Sequence, residues 1–452
     1  MNRILLKISV SILIMLLLFT TLTGCYNSKE LDDLAYIIGI AIDKGTEKKF
    51  MITLQIAVPV KIASEGSEPG KDSSTLITIE ADSLSSAISY ASTRTSKEMK
   101  LSHNKIIVFS EEIAKTELTN CVNAFISSQE IRPRTSIVVC PDEARKFLEN
   151  AFPVLETNPA RYYDLLLASA EYTGYTTKTE LIDFYLNNKS KYINPIAIHG
   201  NITTYQDPTG PSDPNPPSAA SDSSSGNDSQ GSSSESGGNS NGGGGSSNDS
   251  SSSGGSSSGS SSGAQDSNQE QNKEDLTPEL YGIAVFANNV MVGTLTNYEV
   301  LAHSIMTNSL QGVNFDLGET TVSISQRKRP QIKVNVDGNI PHIDITVLLD
   351  ARLLYSGDNL NYLQGNNKKD LQQKLEEEFK NIITTYLDKT AKEFKSDIVG
   401  FGKILKANYL TIEELDKINW LNIYKNSVFD LKVKFNVDTA QIFSSNEELN
   451  TK

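Results

Sequence analysis

The sequence predicts an α+β protein of more than one domain, built from mixed and antiparallel sheets with packed helices and carrying one long disordered Ser/Gly-rich insertion. Three observations predict it. Short runs alternate apolar and polar residues with the two-residue period of a half-buried strand, as in Phe50, Ile52, Leu54, Ile56 and Val58. Runs with helical spacing lie among them, the longest over Lys368 to Ser396. From about Gln206 to Asp275 the chain is almost all Ser, Gly, Asn and Asp, which bury too little apolar area to offset the entropy of ordering.

With 452 residues and a hydrophobic fraction of 38%, the chain has material for more than one core. Its formal charge of −14 argues against a nucleic-acid partner, which requires a clustered basic surface. Composition divides it into a cleaved signal peptide at 1–24, an N-terminal α+β part at 25–205, the insertion at 206–275 and a C-terminal α+β domain at 276–445.

Arg3 and Lys7 form a positive start, and Ile8 to Phe19 an apolar core interrupted only by Ser9 and Ser11. That is an export signal, shorter than the about 20 apolar residues of a permanent span. Leu22, Thr23, Gly24 and Cys25 resemble the bacterial lipobox, in which the cysteine sulfur takes a diacylglyceryl group and the chain is cut just before it. The expectation is a mature chain starting at Cys25, with a water-soluble body tethered to a membrane by acyl chains. The other cysteines, Cys121 and Cys140, are expected as buried free thiols rather than a disulfide.

Downstream, Leu34 to Asp43 and Phe50 to Val58 read as two strands joined by a turn, and Leu76 to Ile79 as another. Asp82 or Ser83 caps a helix with Leu84, Ile88 and Ala91 on one face. A strand over Lys105 to Phe109 leads to a helix with Ile113, Leu118, Val122 and Phe125 on its apolar positions. Ser136 to Cys140 is a strand, followed by a helix carrying Ala144, Phe147 and Leu148. Ala160 to Ala170 and Lys178 to Leu186 read as helices, the second capped by Thr179, and Ile193 to Ile202 as extended. The low-complexity tract lies between that run and Tyr281 to Phe286, so it is either a loop within a domain or a linker between domains.

After it, Gly282 to Phe286 and Met291 to Leu295 form a hairpin across Asn288-Asn289, and Glu299 to Leu310 is a helix. Thr321 to Ser325, Gln331 to Asp337 and Ile343 to Leu349 read as three strands of a sheet with one solvated side. The long helix lays its apolar stripe, including Leu371, Leu375, Phe379, Ile383 and Tyr386, across that sheet. Thr411 to Trp420 reads as a capped helix with Glu414 in its box, and Phe429 to Val437 as a last strand.

No catalytic constellation emerges, and the chain reads as a non-enzyme with no cofactor and no metal site. His103, His199, His303 and His342 are scattered without metal-ligand spacing. The Gly-x-Ser-x-Gly pattern occurs only inside the low-complexity tract, where no strand-to-helix elbow exists. Asp32-Asp33 and Glu111-Glu112 read as solvated faces or helix starts.

Four stretches stand out in order: Gly24-Cys25 through Glu30-Leu31-Asp32-Asp33-Leu34 to Gly39-Ile40-Ala41-Ile42-Asp43; Leu101-Ser102-His103-Asn104 through Ala114; Gly282 to Phe286 with Met291 to Leu295; and Asp397-Ile398-Val399-Gly400-Phe401-Gly402 with Trp420 downstream. Together they resemble the C subunit of nutrient germinant receptors from endospore-forming bacteria, the GerAC/GerBC type of lipoprotein. In the last stretch Gly400 and Gly402 are expected to end the long helix, with Phe401 packed beneath. The resemblance implies a non-catalytic α+β lipoprotein on the outer face of the spore inner membrane, acting with polytopic A- and B-type subunits. The rival expectation is an exported solute-binding lipoprotein, whose paired doubly wound lobes fit the alternating strands less well.

Overall fold

A computed structural model describes residues 2–21, 33–58, 73–151, 156, 158–204, 276–357, 362, 365–407, 409 and 411–438. The chain begins with helix α1 (Asn2–Thr21). Strand β1 (Leu34–Lys44) turns into β2 (Phe50–Ala57) as the expected hairpin, with Ile42 opposite Ile52, and β3 (Ser74–Ala81) pairs antiparallel with β2. Ser83 caps α2 (Leu84–Thr95), its Oγ accepting from the Ser86 amide at 3.2 Å.

A short β4 (Glu98–Lys100) precedes β5 (Ile106–Ser110), α3 (Glu111–Ala114) and α4 (Leu118–Ser127). The single helix expected across Ile113 to Phe125 is therefore two. Five residues separate Ile113 from Leu118, which one helix places on different faces, and the turn between α3 and α4 returns both to the core. Next come β6 (Ser136–Cys140), α5 (Ala144–Glu149), α6 (Pro159–Ala168), α7 (Ala170–Thr173), α8 (Leu181–Asn188) and β7 (Ile196–Thr204). Thr179 does not cap α8. The Leu181 and Ile182 amides donate instead to the Thr135 and Pro133 carbonyls, at 2.8 and 2.9 Å.

On the far side of the tract, β8 (Leu276–Ala287) and β9 (Val290–Leu295) form the hairpin at Asn288-Asn289, whose φ values of 49° and 72° suit a type I′ turn. β8 also pairs antiparallel with β7, Thr204 opposite Leu276, so the tract joins two hydrogen-bonded neighbours. The first sheet runs β3-β2-β1-β5-β6-β7-β8-β9, with β4 beside β1. Its centre, β1, β5, β6 and β7, is parallel. Every residue of β5 and β6 is buried, because helices cover both faces. Ile107, Phe109, Ile137 and Val139 pack with α4 and α8, while Ile106, Val108 and Val138 pack with α5 and α6.

The rest builds a second sheet. After α9 (Tyr298–Thr307) come β10 (Val313–Leu317), β11 (Thr320–Asp337) and β12 (Ile340–Ser356). Thr321 to Ser325 and Gln331 to Asp337 are one irregular strand rather than two. Its register shifts between Gln326 and Gln331 absorb a stretch containing Pro330, which has no N–H for the ladder. The 24-residue helix α10 (Gly365–Asp388) continues as a π-helical turn, Lys389–Glu393. Then follow α11 (Phe401–Lys406), α12 (Ile412–Asp416), α13 (Trp420–Ile423) and β13 (Val428–Asp438), which lies parallel to β12.

The inner face of this β10-β11-β12-β13 sheet and the α10 stripe, Leu371, Leu375, Phe379, Ile383, Tyr386 and Leu387, share one core. Phe379 sits edge-on to Phe435 at 5.0 Å between ring centres. The outer face presents polar side chains such as Asp344, Lys432 and Lys434. The observed class is the mixed α+β architecture that the alternation predicts.

Candidate functional site

Leu22, Thr23, Gly24 and Cys25 lie outside the described residues. Helix α1, which precedes them, exposes its apolar side chains, Ile4 and Leu16 at 68% and 64%. No described helix is long and apolar enough to cross a membrane.

The other motifs serve as anchors within the fold. Asp43 ends the Gly39-to-Asp43 run at the edge of α5, where Oδ1 accepts from the Ala144 amide at 2.6 Å and Oδ2 from the Arg145 amide at 2.9 Å. These N–H groups have no partner within the helix, and the carboxylate satisfies them across 101 and 102 residues of chain. Burial pushes the Asp43 carboxyl above its ordinary range, while the two backbone bonds oppose that rise.

In the second motif, Asn104 is 2% exposed. With its nitrogen turned toward the strands, its carboxamide donates to the Ile38 and Ile106 carbonyls at 3.2 Å each. The backbone amide of Lys105 donates to Ile38 as well, at 2.9 Å. This loop therefore fixes the lateral position of β5 against β1. His103 is outside that arrangement, its exposed ring edge-on to Tyr36 at 4.7 Å.

The third anchor is the densest. Asp397 is fully buried; Oδ1 accepts from the amides of Gly400 (2.7 Å) and Phe401 (3.1 Å), and Oδ2 from Gly402 (2.9 Å) and the Trp420 indole (2.8 Å). Burial raises its pKa, against the pull of all four donors. The expectation that Gly400 and Gly402 cap the long helix is corrected here. Gly400, at φ 88°, opens α11 instead, and its amide and the two after it point at the Asp397 carboxylate. Asn194 completes the knot, its amide donating to the Asp397 carbonyl at 2.7 Å and its Oδ1 accepting from the Asp397 amide at 3.1 Å. The signal available in the sequence was an aspartate three residues before a Gly-aromatic-Gly, a spacing that lets a carboxylate meet successive amides.

The remaining candidates for chemistry, His342 apart, are held by structural partners. His303 is buried and its Nδ1 lies 2.8 Å from the Tyr386 hydroxyl; burial pushes it down to about 4. His199 is lowered by the same cause and faces the Tyr281 carbonyl at 3.2 Å, whereas His342 is exposed on the second sheet. Glu111 pairs with Lys115 and Glu112 with Lys44. Cys121 and Cys140 are free and buried, and burial pushes both thiols up to about 12. Among the described residues no three His, Cys, Asp or Glu side chains gather as metal ligands.

Residues 27–199 match the family model of the spore germination protein N-terminal domain, and residues 281–440 that of the spore germination B3/GerAC-like C-terminal domain. Spore germination protein KC of Bacillus subtilis (strain 168) is 32% identical over 107 residues, 23% of this chain and 26% of the relative. Spore germination protein YndF of the same strain is 30% identical over 163 residues, 31% of this chain and 40% of the relative. These alignments thus span between a quarter and two fifths of the relatives' lengths. The crystal structure of the GerBC protein superposes over 88% of this chain and 96% of its own, with a TM-score of 0.45 and 13% identity.

Proposed function

Because the chain belongs to the family of GerAC-like spore germination proteins, we propose that it is the lipid-anchored, non-catalytic C subunit of a nutrient germinant receptor. It acts in spore germination through contacts with polytopic A- and B-type membrane subunits. The observation that carries this reading is the order of the two family matches, one on each side of the Ser/Gly tract, in a chain whose motif aspartates serve as structural anchors. In this reading the folded parts, 25–205 and 276–445, supply binding surfaces and Cys25 supplies the anchor on the outer face of the spore inner membrane. Two acyl chains, at ~0.8 kcal/mol per buried CH₂, hold a body stably where one chain binds only marginally.

Deleting the chain tests the role. Dormant spores should form normally and fail to answer one nutrient, and the subunit should co-purify with polytopic partners from spore membranes. Tight binding of a solute by the isolated body, with no such partners and an intact nutrient response in the deletion strain, would overturn it. The anchor is tested separately by Cys25→Ala, which should leave the protein uncut and without lipid by mass spectrometry.

A further inference from the structure

A cleft of about 340 Å³ opens where the chain enters β5 and β6. Its floor is polar and buried: Asn104, Thr135 and Ser136 are 2%, 2% and 4% exposed. Four cations surround it, Lys105 just before β5, Arg132 and Arg134 just before β6, and Lys178 on the approach to α8. The carboxylates present are Asp164, 2.7 Å from Lys105, and Glu180, which both Arg134 (3.3 Å) and Lys178 (3.5 Å) approach. Arg132 makes no ion pair with any described residue.

Four cations against two carboxylates leave two positive charges around one cavity, in a chain whose overall charge is −14. The four cations repel one another across the cleft. A ligand carrying two negative charges neutralises it. A phosphate monoester has that charge near neutrality and oxygens that match the planar fork of an arginine. We infer that this cleft is a binding site for a phosphate group, with Arg132 and Arg134 as its gripping arms and the Thr135-Ser136 floor beneath. The phosphate is either a free one or the headgroup of an anionic lipid.

The chain starting at residue 25 and carrying Cys25→Ala provides the test, because neither the apolar export segment nor a diacylglyceryl group is then present to mask weak attachment. Inorganic phosphate is titrated in by calorimetry and phosphorus NMR, and flotation is compared on phosphatidylcholine vesicles with and without phosphatidic acid, whose headgroup is a phosphate monoester. Replacing both arginines, Arg132→Ala with Arg134→Ala, should weaken binding about tenfold or more. The control, Lys328→Ala with Lys432→Ala, removes the same charge from exposed positions on the second sheet and should leave binding unchanged. Loss in the phosphate titration identifies a free phosphate, and loss confined to the charge-dependent part of flotation identifies a headgroup. Absence of binding to both probes, or equal weakening in the control, overturns the inference. If the double variant unfolds, Arg132→Gln alone, which breaks no described ion pair, carries the same comparison.

Discussion

The Trp420 indole N–H donates to Asp397 Oδ2 at 2.8 Å, and the two residues are 1% and 0% exposed. The bond spans 23 residues and closes the α11-to-α13 segment onto a carboxylate that also receives three backbone amides. Through Asn194 the same aspartate reaches the strand entry of β7, 203 residues earlier. One residue therefore ties the second sheet's helical cover to the first sheet, its carboxylate holding the cover and its backbone amide and carbonyl holding Asn194.

Asp397→Ala removes an acceptor and leaves four donors buried without one. Each unsatisfied buried donor costs about 1–3 kcal/mol, so the variant should lose about 3 kcal/mol or more in urea unfolding. Asp397→Asn should fail to restore stability, since its NH₂ faces either the Gly400 and Phe401 amides or the Gly402 and Trp420 donors. A red-shifted emission from Trp420, the only tryptophan in the chain, reports loosening at this point.

Gly402→Ala tests the close approach over that carboxylate. A Cβ there would lie 2.4 Å from Trp420 Cδ1 and 2.5 Å from the Tyr192 carbonyl oxygen, with no flexible end to yield. The expected cost is about 1–3 kcal/mol in chemical unfolding, with the same change in tryptophan emission.

Asp43→Ala frees the Ala144 and Arg145 amides at the start of α5. Loss of such a cap costs about 1–2 kcal/mol, read as a lower urea midpoint. Asp43→Asn keeps one acceptor oxygen and should recover part of the loss.

His303 gives the fold a defined response to acid. Its folded pKa of about 4 lies below the usual 6.5, so the unfolded chain takes up a proton first as pH falls. The stability from keeping the ring neutral is full above 6.5 and is lost as pH falls toward 4, about 3 kcal/mol across that window. Urea unfolding of His303→Gln beside the parent should show a flatter pH dependence over this range.

Cys121 and Cys140 should resist iodoacetamide in the native protein under mildly alkaline conditions, because burial holds both as thiols. Denaturant should make both reactive, with intact-mass analysis counting the adducts. Rapid modification of either in the native state would contradict the packing described.

Much of the fold was legible because alternation reports burial on one face directly. The β1–β2 hairpin, β6, the Asn288-Asn289 turn and the α10 stripe lie where their residues place them. The short β10 is hard to tell from a loop in the sequence, since its alternation, Val313, Phe315 and Leu317 against Asn314 and Asp316, runs for only five residues between Gly312 and Gly318. Thr179 misled because a cap is a competition for amides, and the Thr135 and Pro133 carbonyls, distant in sequence, win it. The anchoring of Asp43 and Asp397 was equally hidden, since a buried carboxylate is recognisable only by donors that tertiary folding brings to it.

β8 marks the division between the two kinds of information. The run Gly282 to Phe286 identifies a strand buried on both sides, since it has no polar face to present to water. What covers each side was decided only in three dimensions. Ile283 and Val285 enter the core shared with α10 and the second sheet, while Ala284 and Phe286 enter the core beneath α4 and α8. Local periodicity depends on neighbours one or two residues away and so specifies that a face is dry. Which distant element dries it depends on contacts between chain segments, and those exist only in the folded state.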